Sequence, residues 1–162
     1  MLRDKWASPD GARTWYVGVW TDGARARLLR SEKKEAEPWH APDARAADIR
    51  AFLGEHAARL KPELLTALRR ALVTTTFLES ISTTMIKAVA WGRMTIVGPG
   101  GRGTRHIERR SASWFVDGAA GYRTLEDAVV SAVWSLDPGR IAVYLTAERT
   151  NGLWVDWEGK GE

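Results

Sequence analysis

GRMTIVGPGGRGTRHIERR, residues 92–110, joins a strand-like run to an arginine-rich run through a loop in which four of six residues are glycine. The run 88–97 has the residue types of a strand, and 104–118 also reads as extended, although its alternation is less regular. The glycine loop is therefore predicted to be the tip of a hairpin. A mobile tip over 98–104 that contacts a partner and a solvated long turn are both open interpretations.

This loop does not have the sequence of a nucleotide cradle. It lacks the Gly-Lys-Ser/Thr ending whose lysine and hydroxyl hold phosphate and Mg²⁺ in a P-loop. It also lacks a following helix, which a dinucleotide-binding fingerprint requires. The arginines around it suggest phosphate contacts of another kind, an electrostatic clamp on a polyanion. The clamp is predicted to consist of Arg102, Arg105, Arg109 and Arg110.

A second hairpin is predicted from TWYVGVWTDGARARLLR, residues 14–30, because an Asp-Gly pair suited to a type I′ turn separates two strand-like runs. With this turn, Val19 lies opposite Ala26 and Val17 opposite Leu28, which gives one apolar face. The other face combines aromatic residues with arginines, a pattern typical of surfaces that bind single-stranded nucleic acid. The alternative is that helices cover this face and that its aromatic residues belong to the core. The predicted binding residues here are Tyr16, Trp20, Arg25 and Arg27.

Helical periodicity fills much of the region between the hairpins. Apolar residues recur at helical spacing in 43–60 and again from Pro62 to residue 72. The β-branched run 73–89 favours a continuing or broken helix, with a buried strand around 72–77 as the alternative. A further helix is predicted to begin at Thr124, whose hydroxyl would cap it with Asp127 three residues on.

The last hairpin is predicted within residues 141–159. A three-residue loop at 150–152 would set Leu145 beside Trp157 and Ala147 beside Val155. This register assigns Trp157 to the core face and Trp154 to the other face.

These elements predict the order β-β-α-α-β-β-α-β-β. Paired hairpins separated by helices indicate an α+β fold, an antiparallel sheet built from hairpins with helices packed on one face. A chain of 162 residues is expected to form a single domain, 1–162.

The amino-acid composition excludes several kinds of site and segment. The chain has no cysteine, which excludes disulfides and thiolate zinc sites, and no apolar run resembles a signal peptide or membrane helix. We therefore expect a soluble, cytoplasmic protein with no membrane partner. The net charge is +4, and arginine outnumbers lysine 18 to 6. Arginine suits phosphate contact, although a general compositional bias would give the same excess.

No enzyme motif is present, and the three histidines have no metal-ligand spacing. We expect no catalytic activity, metal or cofactor. The favoured hypothesis is a nucleic-acid-binding protein for single-stranded DNA or RNA. The alternative is a protein-interaction module, an accessory or inhibitory subunit or a homodimer, that uses some of the nine tryptophans. For that alternative, Val130 and Trp134 on the non-core side of their helix are the predicted contact residues.

Overall fold

The computed structural model describes residues 2–7, 14–19, 25–31, 42–146, 149–150 and 152–159. The chain divides into two units, Met1–Thr76 and Phe77–Gly161. Each unit is described by itself below, and the single domain expected from the sequence stays a prediction. The Asp22-Gly23 turn of the first hairpin lies outside the described residues.

The first unit contains a three-stranded antiparallel sheet. Its strands are β1 (Leu2–Ala7), β2 (Thr14–Val19) and β3 (Ala26–Ser31), in that spatial order. The predicted register of β2 and β3 is confirmed, since Val19 pairs with Ala26 and Val17 with Leu28. Strand β1 was not predicted.

Two helices provide the core partners of this sheet. They are α1 (Ala46–His56), followed by one 3₁₀ turn at Ala57–Arg59, and α2 (Pro62–Ser80). The apolar stripes predicted for both helices pack against the apolar face of the sheet, some residues fully and others partly buried, which accounts for the amphipathic spacing of the sequence. The buried core residues are Val17, Val19, Ala26, Ile49, Phe52, Leu60, Leu64, Leu68 and Ala71.

The β-branched segment 73–89 is helical, which confirms the favoured prediction and excludes the buried strand. Helix α2 ends at Ser80, and α3 (Ser82–Trp91) begins after Ile81, whose φ of −107° and ψ of 8° interrupt the helix. The hydroxyls of Thr74 and Thr76 donate to the carbonyls four residues earlier, an arrangement that bends helices. The predicted strand over 88–97 is too long, because α3 continues to Trp91.

The second unit is built on a six-stranded antiparallel sheet. Its strands are β4 (Arg93–Val97), β5 (Thr104–Arg110), β6 (Ser113–Val116), β7 (Ala119–Tyr122), β8 (Gly139–Tyr144) and β9 (Leu153–Trp157). The spatial order is β7-β6-β5-β4-β8-β9. The β4–β5 hairpin predicted from residues 92–110 is confirmed and forms the centre of this sheet.

Residues 104–118 do not form one extended run, so that prediction is wrong. The chain turns at Ser111, which has a φ of 56°, and again at Asp117 and Gly118, with φ values of 51° and 76°. Two consecutive positive φ values are the geometry of a type I′ hairpin turn. The segment therefore contributes β5 and β6 and leads into β7.

The predicted register of the last hairpin is also wrong. Trp157 pairs with Gly139 instead of Leu145, and Val155 pairs with Ile141 instead of Ala147. Strand β8 ends at Tyr144, and the backbone at Gly152 lies directly against the Tyr144 ring, where a Cβ atom would meet ring carbon Cδ1 at 2.8 Å. Because Val143 pairs with Leu153, the connection is longer than the predicted three residues. The predicted faces are correct, since Trp157 is buried and Trp154 is exposed.

Helix α4 (Leu125–Trp134) begins as predicted, because the Asp127 backbone N–H donates to Thr124 Oγ1 at 3.1 Å. Its predicted apolar stripe, from Leu125 to Leu136, is buried. The described elements form antiparallel sheets with helices, which confirms the α+β class. The element order agrees with the prediction except for the additional strands β1, β6 and β7 and the additional helix α3, which follows the break at Ile81.

Candidate functional site

The six-stranded sheet has one face covered by α4. Three side chains of the sheet contact that helix or the residue after it. Tyr122 Oη lies 2.7 Å from Ser131 Oγ, Arg105 Nε donates to Ser135 Oγ at 2.8 Å, and the Trp157 ring lies 5.0 Å from that of Trp134. The strand registers place these three residues on one side of the sheet, which we call the helix side.

The opposite side of the sheet is called the open face. Because side chains alternate along each strand, its members follow from the register. They combine aromatic, arginine and hydroxyl side chains around two small buried residues, Val97 and Ala142. The open face consists of Arg93, Thr95, Val97, Thr104, His106, Glu108, Arg110, Ser113, Phe115, Arg140, Ala142, Tyr144, Trp154 and Asp156.

Three aromatic rings lie on this face. Phe115 on β6 lies over Gly121, at a distance where a Cβ atom would still fit in ordinary contact, while Tyr144 on β8 covers Gly152 so closely that a side chain there would collide with the ring. Trp154 on β9 is 55% exposed. Exposure of this large apolar surface is unusual for a residue type that normally anchors cores or interfaces.

Arginines lie over two of these rings. The Arg110 guanidinium carbon is 5.6 Å from the Phe115 ring centre, and that of Arg140 is 5.4 Å from the Trp154 ring centre. Both distances are within the range of cation–π attraction. Arg110 also forms an ion pair with Glu108 at 3.2 Å. The open face thus presents positive charge directly beside its aromatic surface.

A shallow depression of about 270 Å³ lies between β4, β5 and the segment after β8. Most of its lining side chains are hydrogen-bond donors. Thr95 Oγ1 lies 3.4 Å from His106 Nδ1, and Thr146 Oγ1 lies 3.5 Å from Thr150 Oγ1. The open-face and loop side chains that line it are Arg93, Thr95, His106, Glu108, Thr146 and Arg149.

The structure does not bring the four arginines of the predicted clamp onto one surface. Arg105 is on the helix side, where Ser135 binds it, and Arg109 is on the same side with its guanidinium carbon 5.6 Å from the Trp114 ring centre. Arg110 is on the open face. Alternation along β5 separates them, because residues an odd number apart point to opposite sides. Arg102 is exposed at the hairpin tip.

The glycine loop is a defined turn. Gly98 N–H donates to Gly103 O at 2.7 Å, and a 3₁₀ turn occupies Pro99–Gly101. The Pro99 ring packs on Gly139, and Gly103 packs against Leu136, so close that neither glycine has room for a Cβ atom. These contacts attach the base of the loop to the second unit. The predicted mobility of 98–104 stays a prediction.

On the first hairpin, the two arginines predicted to bind nucleic acid lie beside a carboxylate. Arg25 Nη1 and Arg27 Nε both lie close to the Asp43 carboxylate, at 3.2 and 3.3 Å. Tyr16 is half-buried on the side of β2 opposite Val17, and Trp20 lies outside the described residues. One carboxylate therefore neutralises much of the positive charge expected to attract a nucleic acid here.

The predicted contact residues on α4 do not form an exposed patch. Val130 is 1% exposed, and Trp134 is half-buried with its ring edge-on to that of Trp157. A side chain as buried as Val130 offers no surface to a partner. This position contributes to the packing of the second unit.

Several residues of the open face and of the depression on it were not identified from the sequence. The pair Asp117-Gly118 is a strong hairpin signal, and recognising it would have ended β6 at Val116 and paired it with β7, whereas the β5–β6 pairing places Phe115 and Arg110 on the same face. Trp154 was assigned to the non-core side, but nothing local connected it to Arg140. The residues that sequence reasoning missed are Arg93, His106, Phe115, Arg140, Tyr144, Arg149 and Trp154.

Comparison with known proteins gives no relative for this arrangement. No protein-family model, curated protein or solved structure matches the chain. Among the described residues, no helix is long and apolar enough to cross a membrane, and no group of three or more histidine, aspartate or glutamate side chains could hold a metal ion.

Proposed function

We propose that this chain is a cytoplasmic protein that binds single-stranded DNA or RNA along the open face of its six-stranded sheet. One observation carries the proposal: three aromatic rings and three arginines share the face of a sheet whose other face is covered by a helix. Bases stack on aromatic rings, and guanidinium groups meet the phosphates between them.

The arrangement suits a single strand better than a duplex. The face offers the exposed ring of Trp154 and the half-buried rings of Phe115 and Tyr144 to unstacked bases, whereas the bases of a duplex are already stacked on one another. Phe115 on β6 and Trp154 on β9 are separated by four strand spacings, which corresponds to about 19 Å across the sheet. A strand of several nucleotides that runs across β6, β5, β4, β8 and β9 would contact both rings.

The charge on the face supports moderate, salt-sensitive binding. Arg93, Arg110 and Arg140 are accompanied by Glu108 and Asp156, so the excess of positive charge is small. We expect binding to weaken with salt, with a slope of log K against log salt near −0.7 for each phosphate contacted. No catalytic step is part of the proposal.

Fluorescence anisotropy with a labelled mixed-sequence strand of about 12 nucleotides tests the proposal. Binding at about 50 mM salt should weaken markedly at about 200 mM. Trp154→Ala should reduce the affinity by roughly 5- to 100-fold, the range for loss of one stacked base. Trp91→Ala is the matched control, because Trp91 is 58% exposed but lies on α3.

Two results would contradict the proposal. One is the absence of binding by the unmodified chain at the lower salt concentration. The other is an equal loss of affinity in the Trp154 and Trp91 variants, since a ring outside the open face should not contribute. Circular dichroism of each variant establishes that the fold is retained.

The second candidate function is that of a protein-interaction module, and the exposed residues that support it lie on α3. Ile86 is 74% exposed and Trp91 58% exposed on this helix. Exposed aromatic and aliphatic side chains of this size are common at protein interfaces. Light scattering over a range of concentrations tests for a homodimer. A monomeric mass at every concentration would exclude self-association, and a dimer lost on Ile86→Ser would support it.

A further inference from the structure

Two arginines line the depression on the open face. Arg93 contributes from β4 and Arg149 from the segment after β8. Neither guanidinium forms a side-chain hydrogen bond or ion pair with any residue that the structure describes. Arg93 is directly opposite Glu108 in the β4–β5 register but forms no ion pair with it. Two guanidinium groups that line one depression, and that no carboxylate among the described residues holds, are suited to a phosphate oxyanion.

The other lining groups are compatible with an anion. The hydroxyls of Thr95 and Thr146 are held only by long contacts of 3.4 and 3.5 Å, which an oxygen acceptor at better distance would replace. Among the described residues, Glu108 is the one carboxylate in the lining, and Arg110 is paired with it at 3.2 Å.

Aromatic residues flank this depression on two sides. The lining residue Glu108 is directly opposite Phe115 on β6, and the lining residue Thr95 is directly opposite Tyr144 on β8. A ligand that fits this pattern carries a negative charge at its centre and a planar group on each side. An internal phosphodiester with its two neighbouring bases has this composition, whereas free phosphate does not.

We propose that the depression holds one internal phosphate of the bound strand, with Arg93 and Arg149 as its principal ligands. This inference rests on the proposed function and specifies where the sugar-phosphate backbone of the bound strand lies on the open face. The volume of about 270 Å³ is below the usual range of about 300–1,000 Å³ for pockets that enclose a small molecule. A shallow contact with part of a longer chain is consistent with that size.

The test uses the full chain with Arg93 and Arg149 both replaced by glutamine. The double variant should lose about tenfold in affinity for the strand of about 12 nucleotides. Its salt slope should fall by about 0.7, the value for one phosphate of a single strand. The control is Arg50→Gln with Arg69→Gln, which removes the same charge from exposed positions on α1 and α2 and should leave the slope unchanged.

A second measurement locates the phosphate. Uncharged methylphosphonate is placed at one internal position of the strand at a time. At the position held by the depression it should weaken binding to the unmodified chain, yet have little further effect on the Arg93, Arg149 double variant. This loss of additivity is the sign of a direct contact.

The outcomes separate this inference from the proposed function. If the glutamine double variant binds like its control while Trp154→Ala still weakens binding, the phosphate assignment is overturned and the strand-binding function stands. If the unmodified chain does not bind the strand, both fail. If inorganic phosphate shifts the His106 ring signals in NMR spectra but the strand does not, the depression is a free-anion site and the inference is overturned.

Discussion

Replacement of Gly98 by alanine should destabilise the second unit through the tip of the β4–β5 hairpin. The φ of Gly98 is −66°, which any residue adopts, so the backbone conformation gives no reason for glycine. The reason is space. A Cβ atom on residue 98 would lie 2.1 Å from the carbonyl oxygen of Arg102 and 3.2 Å from that of Gly103.

The size of the expected loss in the free energy of unfolding follows from these contacts. Ordinary van der Waals contact is about 3.5 Å, so the loop must move by more than about 1 Å to admit the methyl group. Such a movement disrupts the bond from Gly98 N–H to Gly103 O at 2.7 Å and the bond from Gly101 N–H to Gly98 O at 3.1 Å. Two lost backbone bonds and the remaining strain together cost about 3–4 kcal/mol.

Gly100→Ala is the matched control for the hairpin tip. Gly100 has a φ of +65° but open space around its Cβ position, so alanine there incurs only the left-handed backbone penalty of about 1–2 kcal/mol. Urea-induced unfolding, followed by tryptophan fluorescence and circular dichroism, compares the free energies of unfolding. An equal or smaller loss for Gly98→Ala would refute the steric reasoning.

Three further substitutions test other parts of the fold. Gly54→Ala in α1 places a methyl group in open space and should stabilise the protein by about 1 kcal/mol; a lower melting temperature would contradict this. Thr124→Ala removes the 3.1 Å cap of α4 and should cost about 1 kcal/mol in denaturation experiments, whereas Thr124→Ser should retain most of that stability. Trp157→Ala empties a site that is 2% exposed and bordered by Phe77 and Trp134, so it should cost about 3–5 kcal/mol and abolish the near-ultraviolet dichroism of this cluster. Trp157→Phe should cost less, and equal losses for the two variants would contradict this packing.

The helices and the register of the β2–β3 hairpin were predictable because their signals are local. Helical spacing reports which side of α1, α2 or α4 is buried, and a two-residue turn fixes which residues pair across a hairpin. Strand β1 carries no such signal. Its sequence LRDKWA does not alternate, and it pairs with β2 through backbone hydrogen bonds that most residue types can make.

The β8–β9 hairpin shows how a face can be predicted correctly from a wrong register. Trp157 was expected opposite Leu145 and is opposite Gly139. The displacement is an even number of residues, and side chains alternate with a period of two, so each residue stays on its predicted side. The register was wrong because the sequence does not indicate the length of the loop between β8 and β9. In the structure the Gly152 backbone lies against the Tyr144 ring within this longer connection, and no local pattern in the sequence indicates that contact.

The proposed binding surface differs from the surface predicted from the sequence, because the role of an arginine depends on the partners that the fold gives it. Arg25 and Arg27 share a strand face with Tyr16, yet Asp43, 18 residues along the chain from Arg25, contacts both guanidinium groups. Arg140 is the reverse case. Its local sequence gives no indication of binding, but the pairing of β8 with β9 brings its guanidinium group over the Trp154 ring. A guanidinium held by a carboxylate must lose that pairing before it binds phosphate, whereas one that lies on an exposed ring can turn to phosphate and leave the ring to a base. Arg140 would therefore meet a phosphate at lower cost than Arg25 or Arg27. Arg110, which also lies on the open face, would first have to leave the Glu108 carboxylate.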